Sequence, residues 1–79
     1  LDYYVQSLQT FRYYAAAFQG MFNLFQPLPD EEIIVFLNSI YNMQSNADME
    51  FISHQAAECG RPVISLYYGK KLKGLINAG

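Results

Sequence analysis

Apolar residues recur at steps of three and four through the first third of the chain. This spacing predicts one long helix over residues 3–26. The stripe consists of Tyr4, Leu8, Phe11, Ala15, Phe18, Phe22 and Phe25. A second stripe, Tyr14, Ala17, Met21 and Leu24, runs beside it. The apolar face is therefore too broad for a coiled-coil seam and suits a central helix contacted from two sides. Gly20 inside this pattern indicates close packing or a bend.

Three further helices follow, each opened or closed by a proline, a glycine or a capping residue. The prolines of "QPLPD" end the first helix, and the acidic residues after them favour a helix start because the helix dipole attracts anions there. Ser45 and Asp48 resemble a capping box. Gly60 can end a helix in the left-handed conformation, and Pro62 suits the start of the next. The predicted ranges are 29–44, 46–59 and 62–76.

The segment "VISLYY", residues 63–68, is open to two interpretations. Its β-branched and aromatic residues suit a short strand that ends at Gly69. A helix is favoured, because a lone strand in an otherwise helical chain has no pairing partner. The sequence thus predicts an all-α fold, a compact four-helix domain over residues 1–79 with short Pro, Gly or polar turns.

The chain carries more apolar material than one small core requires. Of its 79 residues, 52% are hydrophobic and 16% are aromatic, while a domain of this size buries only about 60% of the surface of its unfolded chain. The excess of apolar residues indicates an interface. A homodimer or a tight protein partner is the simplest way to bury these residues. The candidate partner-binding residues on the first helix are Tyr4, Phe11, Tyr14, Phe18, Met21 and Phe22.

Charge is distributed unevenly although the net charge is only −2. Residues 1–60 hold all seven acidic residues and a single base, Arg12, whereas residues 61–79 hold four bases and no acid. Lysines near the end of a helix complement its dipole, which is the simpler interpretation. The same patch also suits phosphate or an acidic partner.

Residues 52–72 support a second hypothesis, a helix-turn-helix that binds DNA. Ala56, Gly60 and Leu66 match the positions where such a motif needs a small residue, a turn glycine and an apolar residue that packs its second helix on its first. The possible nucleic-acid contacts are Arg61, Tyr67, Lys70, Lys71 and Lys73. However, residues 63–65 lack the Arg, Asn or Gln that read base edges, and the chain is acidic. An ordinary helical hairpin is therefore favoured.

No motif in the sequence demands a catalytic explanation. Phosphate-binding glycine loops, zinc-type cysteine clusters and nucleophile elbows are absent. His54 and Cys59 lie about 140° apart around one predicted helix, so they cannot pair within one chain. Glu50, His54 and Glu58 share a helix face, where a solvated acidic surface is far commoner than a metal site. We expect no catalytic residues, no cofactor and no metal, although a site assembled between subunits stays open.

Cysteine and hydropathy patterns bear on location. Cys59 is the only cysteine, so no disulfide can form within the chain. No apolar run approaches the roughly 20 residues needed to span a bilayer, and no signal peptide is visible. These features predict a cytoplasmic protein; the start at Leu1 rather than Met suits a fragment or a processed product. The function expected from the sequence is a non-enzymatic protein-interaction module of a regulatory, adaptor or immunity type.

Overall fold

The computed structural model describes residues 1–78. These residues contain five α-helices and no strand. The all-α class is confirmed, and residues 63–68 are helical, so the strand alternative is wrong. The predicted count of four helices is not confirmed. The helices are α1 (Asp2–Thr10), α2 (Ala15–Leu24), α3 (Asp30–Ile40), α4 (Asn46–Glu58) and α5 (Pro62–Ala78).

The long helix predicted over residues 3–26 is in fact two helices, α1 and α2. Phe11 (φ −124°, ψ 85°) and Tyr14 (φ −83°, ψ 99°) both leave the helical region. In a continuous helix, Tyr4 and Gly20 would lie about 24 Å apart. Instead the Tyr4 ring lies against Gly20, where a Cβ atom would come within 2.6 Å of Tyr4 Cε1. The break therefore folds α1 back onto α2, and the close packing predicted at Gly20 is confirmed.

Residues Leu1–Tyr41 form one compact unit with an aromatic core. Helix α1 contacts both α2 and α3 in this unit. The Phe18 ring stacks on Phe22 with centroids 4.6 Å apart, and it lies 6.2 Å from the Tyr41 ring. Phe25 meets Phe36 edge-on at 5.1 Å. The buried residues of the unit are Leu8, Ala17, Phe18, Met21, Phe22, Phe25, Ile33, Leu37 and Tyr41.

A second compact unit begins at Asn42 and consists of the α4–α5 hairpin. The Asp48 N–H donates to Ser45 Oγ at 3.2 Å, as expected for an N-cap. The Asp48 carboxylate does not return to the Ser45 N–H but accepts from the Asn42 N–H at 2.7 Å. Asp48 therefore holds the turn before α4 in place, in addition to its role in the N-cap.

Gly60 ends α4 in the predicted left-handed conformation, with φ of 76°. The Gly60 N–H donates to the Ala57 carbonyl at 3.1 Å, and the Arg61 N–H donates to the Ala56 carbonyl at 2.9 Å. These two bonds form a Schellman motif, which satisfies carbonyls that a helix end otherwise leaves without donors. Pro62 then starts α5 directly after the turn.

Two serines join α4 to α5 through reciprocal hydrogen bonds. Ser53 Oγ donates to the Ser65 carbonyl at 2.9 Å, and Ser65 Oγ donates to the Ser53 carbonyl at 2.8 Å. One turn further along α5, a Cβ atom on Gly69 would lie 3.4 Å from Ser53 Oγ. Small residues thus allow the two helices to approach closely, and we call this contact the serine seam.

Candidate functional site

The segment between α1 and α2 presents three aromatic side chains to solvent. Phe11 is 65% exposed, Tyr13 is 48% exposed and Tyr14 is 50% exposed. Together with Arg12, they line an open concavity of about 660 Å³. We call residues Phe11–Tyr14 the aromatic corner. Large exposed apolar patches are uncommon on monomeric soluble proteins, which makes the aromatic corner a candidate interaction surface.

Contacts with Tyr41 and with the end of α1 hold the backbone of the aromatic corner in place. The hydroxyl of Tyr41, a buried residue, donates to the Arg12 carbonyl at 3.0 Å, and Arg12 Cζ lies 5.5 Å from the centroid of the Tyr41 ring. The Phe11 N–H donates to the Ser7 carbonyl at 2.7 Å, and the Tyr14 N–H donates to the Phe11 carbonyl at 3.1 Å. A surface that is already ordered loses less entropy on binding.

The six residues predicted for partner binding occupy three different environments. Phe18, Met21 and Phe22 lie in the core, so their side chains are not available at the surface. Tyr4 is half-buried against Gly20. Phe11 and Tyr14 are the exposed members of the set. The sequence pattern placed all six on one helix face, and the break between α1 and α2 separates them.

Sequence reasoning missed Tyr13, which belongs to neither apolar stripe. Thr10, Phe11, Tyr13 and Tyr14 are all weak helix formers compared with alanine or leucine. This run within five residues is the one local signal that a helix break could fall there. The apolar period that continues on both sides of the segment points instead to one continuous helix.

The residues predicted for nucleic-acid contact lie on α5 or just before it. Lys70, Lys71 and Lys73 are exposed, whereas Arg61 and Tyr67 are partly buried. Lys71 Nζ lies 5.5 Å from the centroid of the Tyr67 ring, a distance at which a cation–π interaction is favourable.

Leu66 does not take the position that a helix-turn-helix requires of it. It was expected to pack α5 against α4, but its side chain is 64% exposed. The buried residues of α5 are Ile64 and Tyr68. The hairpin therefore packs on a different face of its second helix, and the serine seam lies beside that face.

The His and acidic residues of α4, with Cys59 at its C-terminal end, were the candidates for reactive chemistry. Within residues 1–78, no group of three or more such side chains is placed to hold a metal ion. Glu50, His54 and Glu58 are exposed. Burial, and to a lesser extent the Glu58 carboxylate, raises the pKa of the Cys59 thiol. A thiol that keeps its proton at neutral pH is a poor nucleophile.

Comparisons with protein-family models, with curated proteins and with solved structures found no match to this chain. Among the helices of residues 1–78, none has both the length and the apolarity that crossing a bilayer requires.

Proposed function

We propose that this chain is a non-enzymatic helical protein-interaction module that binds a protein partner through the aromatic corner. The observation that carries the proposal is the exposure of three aromatic side chains within four consecutive residues. A second copy of the chain is the first partner to test. A regulatory, adaptor or immunity-type role suits such a module.

The chemistry of the aromatic corner suits protein recognition. Tyrosine and arginine are enriched among the residues that dominate binding energy at interfaces, because they combine a large apolar area with polar groups. Each aromatic side chain can bury roughly 150–250 Å². Three of them supply only part of the roughly 800 Å² per partner in a standard interface. The aromatic corner would therefore form the centre of a larger contact.

Self-association is tested by light scattering coupled to size exclusion at tens of micromolar protein. We expect a dimer or a larger species. We also expect the double substitution Phe11→Ser and Tyr14→Ser to weaken association at least about tenfold, since buried aromatic anchors commonly contribute more than 1.4 kcal/mol each. Circular dichroism should stay unchanged, because both side chains are exposed.

Leu24→Ser is the matched control. Leu24 is also an exposed apolar residue, but it lies at the other end of α2. Association that survives the double substitution and is lost in Leu24→Ser would assign the interface elsewhere. A monomer at every concentration would exclude self-association, and the same pair of variants would then be compared against candidate foreign partners.

A further inference from the structure

Helix α5 carries an outward surface that is apolar at its start and basic further along. Val63, Leu66, Lys70 and Lys73 are all exposed. At 100° per residue, these four positions fall within about 80° of one another around the helix axis. They lie opposite the buried residues of α5, Ile64 and Tyr68. We call these four residues the α5 stripe.

Helix α3 carries an outward surface that is charged at its start and apolar further along, the opposite order to that on α5. Its first turn is acidic, with Glu31 and Glu32 exposed, and Val35 follows one turn later with 71% of its side chain exposed. These three positions fall within about 100° around the axis, away from the buried Ile33 and Leu37. We call Glu31, Glu32 and Val35 the α3 stripe.

The two stripes match when the helices run antiparallel. Glu31 precedes Val35 by four residues and Lys70 follows Leu66 by four residues, which is a rise of about 6 Å in each helix. We propose that the α5 stripe of one copy binds the α3 stripe of a second copy, with Leu66 against Val35 and Lys70 beside Glu31. This contact goes beyond the proposed function, because it uses none of the residues of the aromatic corner.

A second copy fits the α5 stripe better than a nucleic acid or a lipid surface does. Phosphates offer no partner for the exposed Val63 and Leu66, and the start of α5 lacks base-reading side chains. An interfacial membrane helix inserts its main apolar face, but the corresponding residues here, Ile64 and Tyr68, are buried. The α3 stripe supplies both an apolar side chain and opposite charge at the required spacing.

The test is a charge-swap complementation followed by sedimentation velocity in about 50 mM salt, where screening is weak. One protein carries Lys70→Glu and Lys73→Glu, and the other carries Glu31→Lys and Glu32→Lys. We expect each variant alone to self-associate about tenfold more weakly than the original chain, because attraction becomes repulsion. An equimolar mixture should associate again, since both stripes of the first variant are then acidic and both stripes of the second are basic.

Two controls separate this contact from the aromatic corner. Lys71→Glu makes the same kind of charge reversal on the same helix. Because Lys71 lies outside the α5 stripe, association should be retained. The protein with both Phe11→Ser and Tyr14→Ser should keep the association through the charged stripes, which weakens as salt is added. It should lose the association through the aromatic corner, which depends little on salt. Each proposal can therefore fail without the other.

Three outcomes would overturn the inference. The first is a mixture that associates no better than its components, and the second is a Lys70→Glu and Lys73→Glu protein that associates like the original chain. The third is binding of duplex DNA that these two lysine substitutions remove while self-association persists, which would make nucleic acid the occupant of the α5 stripe.

Discussion

Gly20 illustrates how a single missing side chain allows two helices to cross. A Cβ atom there would lie 2.6–2.9 Å from three atoms of the Tyr4 ring and hydroxyl. We expect Gly20→Ala to lack the gain of about 0.5–1 kcal/mol that alanine normally brings inside a helix, because the half-buried Tyr4 ring must shift to make room. Urea denaturation measures the change in the free energy of unfolding.

The chain offers a matched control for Gly20. Gly74 also lies inside a helix, but no atom lies within 4 Å of a Cβ atom added there. Gly74→Ala should therefore stabilise the protein by about 0.5–1 kcal/mol. If Gly20→Ala stabilised the protein by the same amount, the packing of Tyr4 on Gly20 would be refuted.

Tyr68 makes stability depend on pH in the alkaline range. Burial, and secondarily the neighbouring Tyr67, raises the pKa of the Tyr68 phenol above its ordinary value. Above about pH 10 the unfolded chain loses this proton while the folded chain keeps it, so the free energy of unfolding falls as pH rises. We expect this slope in urea titrations between pH 9 and pH 11, and a smaller slope in Tyr68→Phe.

The serine seam connects α4 and α5. Ser53→Ala and Ser65→Ala should each lower the free energy of unfolding by about 1 kcal/mol, since each removes one partly buried hydrogen bond. Ser39→Ala is the control, because the Ser39 hydroxyl donates to the Phe36 carbonyl at an exposed position within one helix. Equal effects at all three serines would show that the seam adds no stability beyond a local hydrogen bond.

Local signals made three of the helices predictable. Helices α3, α4 and α5 start within one residue of their predicted positions because prolines and an N-capping serine lie there, and a turn glycine marks the end of α4. Helix α3 ends at Ile40 rather than at the predicted residue 44, since the backbone of Tyr41 is extended. The break between α1 and α2 depends on residues distant in sequence, since Tyr41 donates to the Arg12 carbonyl and Tyr4 packs on Gly20. A periodic pattern read along one segment contains no information about either contact.

The same limit explains why the candidate site was predicted only in part. Phe11, Tyr14 and Phe18 share the same aromatic character, but Phe11 and Tyr14 are exposed whereas Phe18 lies in the core. Their different environments follow from the chain reversal between α1 and α2. Tyr13 is exposed for the same reason. The two apolar stripes do not include it, so the pattern gave no sign of its exposure.

The charge distribution of the chain allows the DNA-binding hypothesis to be tested directly. The chain has net charge −2, and its exposed cations on α5 are Lys70, Lys71 and Lys73. We expect no measurable binding to mixed-sequence duplex DNA at about 50 mM salt, where even nonspecific binders normally show affinity. Fluorescence anisotropy of a labelled duplex provides the measurement.

The triple substitution of these lysines by glutamate is the control for that experiment. It should change the net charge while leaving the helical content and the lack of DNA binding as they were. Salt-dependent binding that the triple substitution abolished would instead favour the helix-turn-helix hypothesis, because each neutralised phosphate contributes a slope of about −0.9 in a plot of log affinity against log salt.

The sequence separation of the stabilising contacts has a consequence for the order of folding. The serine seam joins residues 12 positions apart, whereas the bond from Tyr41 to Arg12 spans 29 positions. Closing the longer loop costs about 0.8 kcal/mol more in chain entropy, and local contacts generally form sooner. We expect pulsed hydrogen exchange to show amides of α4 and α5 protected before those of the aromatic corner; simultaneous protection would contradict this order. A refolding chain would then complete its proposed binding surface last, after its hairpin is already formed.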